Sequence, residues 1–521
     1  MVLADLPPLR QRARTIDDFL INYGSWDDSK IAIAKKHQLV VIHPKNGNVT
    51  RAQVAAIQQG GALVLAYVSI GEDLRTRGIT DDQLRQDPRF RGDGTGPRID
   101  PRGHLPNGGG SLEGINPLGA PSTGGTGFAS WYLDDNSVDR QGVGDGFPDR
   151  NARFGACFVN AGDPKWFDVV DQMTLDGVDG VGGFKEVMTF NAGRGLGCDG
   201  VFLDTIDTCA PNAYTDPSSP NQSEFEWTAA GFRDFIRRLR TNYPDKIVLQ
   251  NRGLFFFDSR HPHYKITTRG LVDVVLFESF RLNSNQFELW DPYFFPDNRY
   301  NVAPKLMAEA NRPDGFRVVS LGYAEGPPDQ ISKDTLVGAS TLGLDALLED
   351  IRVTERENGF RHYISDGPVE FVNSFVHDHA NRFDNEPPIW SNTWNANTNL
   401  TAPSPPTQRF GIQEVVPGAG SLTVRWDVAL DLNPVRYALY LSKTPFDLAG
   451  NPTLAGVTRI VLQPSVGKGY ENGPGPSVYA HEQTIGGLAS GQTYYLIIRA
   501  FDTSPQANED GNQVIATGTP F

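Results

Sequence analysis

The stretch that decides the reading is GVFLDTID, residues 200–207. Gly200 opens a short apolar run, Val201-Phe202-Leu203, with β-leaning members. Asp204 ends it abruptly, and Asp207 follows three residues later. An apolar run bounded by glycine and acid reads as a buried strand that stops where its carboxylate begins. In a parallel α/β barrel, chemistry sits at the C-terminal ends of the strands. Asp204 is then either a catalytic group or the N-cap of the following helix, a task Thr205 and Asp207 could serve equally well.

Outward from this stretch the pattern repeats. Residues 18–24, 39–44 and 63–72 read as three earlier strands. Residues 27–36 between the first two are helix-like, and Thr50 caps a helix between the second and third. A helix opens at Pro164, behind Asp163, and residues 224–243 form a strongly amphipathic helix. Residues 246–253, 271–280, 316–323 and 359–366 read as later strands. Eight strands with helices between them fit an α/β fold, a closed (β/α)8 TIM barrel with a long insertion after strand 3. An open doubly wound sheet is the alternative, but no GxGxxG-type turn follows the first strand.

The insertion, residues 73–163, is rich in Gly, Pro, Asp and Asn and is far longer than an ordinary βα loop, as lids and cleft walls are. Within it Asp134, Asp135, Asn136, Asp139, Asp145 and Asp149 crowd together. They read as a solvated acidic turn cluster or, alternatively, as oxygen ligands for Ca²⁺ in the 134–149 loop; the spacing is not that of an EF-hand.

Past residue 390 the text becomes Asn, Thr, Pro and Ser, a linker over 391–408. Residues 409–521 then switch to period two, with Gly and Pro turns, as in a β-sandwich. The division expected is 1–390 barrel, 391–408 linker and 409–521 sandwich. LASGQTYYLIIRA (488–500) and Trp426 resemble a fibronectin type III domain, which implies Tyr494 as its corner tyrosine and Trp426 as its core tryptophan.

Forty-seven basic against 62 acidic residues in 521 leave a net charge of −15. Duplex nucleic acid is therefore not an expected partner, since phosphate binding needs a basic face. No apolar run approaches the ~20 residues of a membrane helix. The opening Met1-Val2-Leu3-Ala4 lacks the basic start and apolar core of a signal peptide. Cys157, Cys198 and Cys209 fit no zinc motif and read as packing residues. His43 closes the second strand. His261 and His263 have no third ligand in view, so no cofactor and no catalytic metal are expected.

Three strand ends carry carboxylates: Glu72, Asp204 and Glu278. Two acids facing each other across a cleft can cleave a glycosidic bond, one protonating the leaving oxygen and the other attacking carbon or activating water. Tyr67, Trp131, Trp166, Phe280 and Tyr323 are candidate sugar-stacking aromatics. Glu72 could instead pair with Arg75 as an ordinary ion pair.

AYVSIGEDLR (66–75), GCDGVFLDTIDT (197–208) and VDVVLFESF (272–280) resemble the glycoside hydrolase family of endo-α-1,4-polygalactosaminidases, in order and spacing over roughly residues 15–380 apart from the insertion. The resemblance implies a TIM barrel that cuts α-1,4-linked galactosamine polymers. It implies Asp204 as nucleophile and Glu278 as acid/base of a retaining mechanism. Tyr67, Glu72 and Arg75 match the early motif and would shape a sugar subsite; Asp207, Gln250, Asn251 and Tyr323 would hydrogen-bond hydroxyls or the amine. The reading is a secreted or cell-surface hydrolase with a polysaccharide substrate. Its rivals are a non-catalytic carbohydrate-binding protein on the same barrel, and a barrel glycosidase for another amino sugar or α-galactoside.

Overall fold

The computed structural model describes residues 5–45, 47–105, 109–135, 143–176, 179–214, 223–282, 297–324, 350–377, 387–390, 411–426, 429–430, 435–463, 465–466 and 481–521. The expected linker, 391–408, lies outside the described residues. The chain divides into two compact units. One comprises Met1–Glu278, Ala308–Leu321 and Ser365–Asn373, and the other Ser279–Met307, Gly322–Ile364 and Ser374–Phe521.

All eight expected strands form: β1 Leu20–Asn22, β2 Leu39–Ile42, β3 Leu63–Ser69, β4 Gly200–Asp204, β5 Ile247–Asn251, β6 Val274–Glu278, β7 Arg317–Tyr323 and β8 Arg361–Ser365. They make one eight-stranded sheet in sequence order, the order of a (β/α)8 barrel. Just past β1, the Tyr23 N–H donates to the Val369 carbonyl at 2.6 Å, so the chain beyond the last strand returns to the first. Every residue of β2 and β3 is buried, which is why these strands read as unbroken apolar runs rather than alternating ones.

The helices follow their caps. Asp27 accepts from Lys30 N ahead of Asp28–Ala34. Thr50 and Gln53 form a capping box ahead of Arg51–Gln59. Asp163 caps Pro164–Gln172. The amphipathic helix is shorter than expected: Ser223–Thr228 is a tighter 3-10 turn and the α-helix runs Ala229–Asn242. Residues 224–229 are all buried. Phe225 and Trp227 pack with Leu133 and Phe158 of the insertion, so residues 224–228 present no solvent face.

Strand β3 also ends earlier than expected. It stops at Ser69, and Glu72–Asp73 pairs antiparallel with Cys157–Phe158 of the insertion. Glu72 therefore belongs to the insertion's own ladder rather than to a barrel strand. Gly71 makes the break: a Cβ there would lie 2.1 Å from the Thr205 carbonyl.

In the second unit, Ile412–Gly418, Ser421–Trp426, His481–Gly486 and Ser465–Val466 form one four-stranded antiparallel sheet. Thr458–Val461, Val435–Ser442, Tyr494–Asp502 and Ala516–Gly518 form another. Leu422, Val424 and Trp426 face a core shared with Leu439, Leu496 and Ile498. The Tyr494 hydroxyl accepts from Ala489 N at 3.0 Å, the bond a tyrosine corner makes.

Candidate active site

Asp204, Asn251 and Glu278 are the last residues of β4, β5 and β6, three adjacent strands. After each, the chain leaves the sheet through a left-handed residue that is not glycine: Thr205 (φ 64°), Arg252 (φ 53°) and Ser279 (φ 54°). Such residues cost on the order of 1–3 kcal/mol and persist where neighbours hold them. Thr205 Oγ1 accepts from Gly71 N at 2.7 Å. Arg252 is held by the Asp207 carboxylate and donates to the Glu278 carbonyl at 3.0 Å, while Gly253 N donates to Asp207 at 2.9 Å.

The two principal acids meet through one atom. Asn251 Nδ2 donates to Asp204 Oδ1 at 2.8 Å and to Glu278 Oε2 at 2.7 Å. An amide nitrogen with its hydrogens splayed in the usual way puts those two oxygens roughly 5 Å apart. Both acids are half-buried. The Tyr67 hydroxyl donates to the other Asp204 oxygen at 2.7 Å. Asp204 is thus held by a phenol and a carboxamide, makes no ion pair among the described residues, and does not cap the turn after it.

Sequence reading missed Tyr23, the first residue past β1 and so at the same rim. Its ring lies 5.2 Å from that of Tyr67. Burial, then the charges of Asp204 and Glu278, push its phenol well above the usual value. Burial and Asp204 do the same to Tyr67.

Beside the acids lies a small recess, lined in part by His43, Tyr67, Ser69, Glu72, Met173 and Val181. His43 stacks on Tyr67 at 4.5 Å between ring centroids. Burial, with Lys45 and Arg77 near, pushes His43 down to about 3, so the imidazole is neutral. Glu72 is 4 % exposed; Oε1 accepts from Asn151 Nδ2 at 2.8 Å and Oε2 has no hydrogen-bond partner. Burial pushes it up to about 7, against the Asn151 bond and with Asp204 adding to the rise. It does not pair with Arg75. Arg75 holds Asp73 at 2.8 and 2.9 Å and lies over the Phe90 ring.

The other expected contacts fall elsewhere. Gln250 and Asn251 point to opposite faces of β5, as successive strand residues must. Gln250 is fully buried, its amide engaged by Thr268 at 2.8 Å and the Arg252 carbonyl at 2.9 Å. Asp207 is occupied with Arg252 and Gly253. Tyr323 is the last residue of β7 and lies in the second unit, 3 % exposed. Trp131, Trp166 and Phe280 are buried core rather than open sugar platforms. The three cysteines are buried and free.

In the insertion, burial pushes Asp134 up to about 6 and Asp135 up to about 8. Asn136 and Asp139 lie outside the described residues. Among the described residues no three His, Cys, Asp or Glu side chains converge to hold a metal ion, and no helix is long and apolar enough to cross a membrane.

No protein-family model matches the chain, and no curated protein matches it. Among solved structures, it is similar to the glycoside hydrolase domain of PelA from Pseudomonas aeruginosa at 15% identity and TM-score 0.39, covering 68% of this chain and 97% of that one. It is similar to Aspergillus fumigatus Ega3 in complex with galactosamine at 13% identity and TM-score 0.31, covering 69% and 96%. A GH18 chitinase from Pseudoalteromonas aurantia matches at 8% identity and TM-score 0.30, covering 70% and 96%. Likenesses this distant carry no argument about substrate or mechanism.

Proposed function

We propose that the protein is a glycoside hydrolase that cleaves α-1,4-linked galactosamine-containing polysaccharide with retention, using Asp204 as nucleophile and Glu278 as acid/base. The observation that carries this reading is the single Asn251 nitrogen donating to both acids. It brings one oxygen of each acid roughly 5 Å from the other, which fits the ~5–5.5 Å of a retaining pair.

In this reading Glu278 protonates the leaving glycosidic oxygen while Asp204 attacks the anomeric carbon. A water then gives its proton to Glu278 and its oxygen to that carbon, which frees Asp204. Tyr67 and Asn251 aim the nucleophile. Tyr67, Glu72 and Asn251 are the sugar-binding residues in this reading. Arg75, Asp207 and Gln250, engaged by protein partners, act by holding the rim. The sandwich serves as a fibronectin type III-like spacer, and the enzyme works outside the cell or on its surface.

The test is release of reducing ends from partly deacetylated α-1,4-polygalactosamine. Wild type should release them, and Asp204→Asn and Glu278→Gln should each lose at least roughly 100-fold. Tight binding with no release would instead favour a carbohydrate-binding protein.

A further inference from the structure

Phe154 stands out in the insertion. It is 52 % exposed, although most aromatic side chains around the barrel mouth are buried. Its position is built. Asn151 Oδ1 accepts from Arg153 N at 2.9 Å and Phe154 N at 3.1 Å, and Gly155 N closes the turn on the Asn151 carbonyl at 2.7 Å. The other end of the same amide donates to Glu72 in the recess. One side chain therefore ties the turn that displays Phe154 to the acid beside Asp204.

Two guanidiniums lie over the ring, Arg153 at 5.1 Å and Arg77 at 5.7 Å from its centroid. More than half of the residue is still open, so ring area remains for a ligand. Arg77 is exposed and makes no ion pair among the described residues. Its charge reaches His43 and Glu72, lowering the proton affinity of both. An aromatic face suits the apolar face of a pyranose. Two fixed positive charges beside it disfavour a ring that carries an ammonium.

We infer that Phe154, with Arg77 and Arg153 over its ring, is a stacking subsite for an uncharged, N-acetylated pyranose beside the recess, in a chain whose amine-bearing residues go elsewhere. The inference takes its substrate class from the glycosidase reading. It makes the insertion a reader of acetylation pattern. The bland alternative, a surface cluster that only fixes the turn, has no consequence for ligand.

The test is calorimetric titration of the full chain carrying Glu278→Gln with α-1,4-linked hexamers, one fully N-acetylated and one fully deacetylated. Phe154→Ala should weaken the acetylated hexamer about tenfold and the amine hexamer less than about twofold, and Phe154→Trp should restore binding. The pair Arg77→Glu and Arg153→Glu should shift preference toward the amine hexamer. Unchanged binding of the acetylated hexamer by Phe154→Ala overturns the inference, as does an equal loss for both hexamers. Cleavage by the otherwise wild-type chain is scored separately. Binding through Phe154 without reducing-end release removes the enzymatic reading alone, and cleavage indifferent to Phe154 removes this inference alone.

Discussion

At the N-terminal end of the barrel sheet, fully buried Asp273 is met by three guanidiniums: Arg10 at 2.9 Å, Arg14 at 3.4 Å and Arg240 at 2.7 Å. At the C-terminal end, Asp204 is met by a phenol and a carboxamide. One acid is locked among cations, and its charge is used up in holding the Pro8–Ala13 helix and the Ala229–Asn242 helix to the sheet. The other is fixed in position by neutral groups, so its charge remains available to a positive centre developing on a substrate. The same strands thus carry a structural acid at one end and reactive acids at the other.

The largest expected effect separates the two ends. Asp204→Asn or Glu278→Gln should cut turnover by about 10²–10⁴-fold while leaving the unfolding midpoint nearly unchanged. Asp273→Ala should do the reverse. It leaves buried guanidiniums uncompensated and should cost about 3–5 kcal/mol in a denaturant titration, with turnover per folded molecule retained. If Asp273→Ala silences folded enzyme, the division of labour between the ends is wrong.

Glu72 sharpens the comparison through pH. Its folded-state value is raised to about 7 from an ordinary 4.5, so between these values the native state holds the extra proton and stability falls as pH rises. Below pH 4.5 both states are protonated and nothing is lost. Urea titrations should show Glu72→Gln gaining on wild type from pH 4.5 to pH 8, by on the order of 2–3 kcal/mol. A gap that stays flat with pH contradicts the buried, unpaired oxygen. The smallest effect is that of Tyr67→Phe, which removes one hydrogen bond to Asp204. It should slow turnover several-fold, for a bond worth about 1 kcal/mol, and a steady-state kcat comparison reads it.

Much of this was legible in the text. Parallel strands buried on both faces appear as unbroken apolar runs, so all eight barrel strands could be placed to within a few residues, and Asp204 and Glu278 could be set at their ends. What escaped depends on direction and distance. Gln250 and Asn251 read alike as polar exits, but only one face of β5 looks toward the acids. Glu72 looked like the end of a strand because nothing in the letters shows that Gly71 must leave the sheet to clear the Thr205 carbonyl. Tyr23 acquires its setting from neighbours more than 150 residues away, Phe202 and Asp204. The left-handed steps at Thr205, Arg252 and Ser279 had no glycine to announce them.

The most direct measurement is of the product's first anomer. The account rests on two carboxyls brought within reach of a single amide nitrogen, close enough for one of them to bond to the sugar. Proton NMR of the first seconds of cleavage of α-1,4-polygalactosamine should show the α-anomer appearing before mutarotation yields β. A β-anomer formed first would mean a water stands between the acids, and would contradict the arrangement.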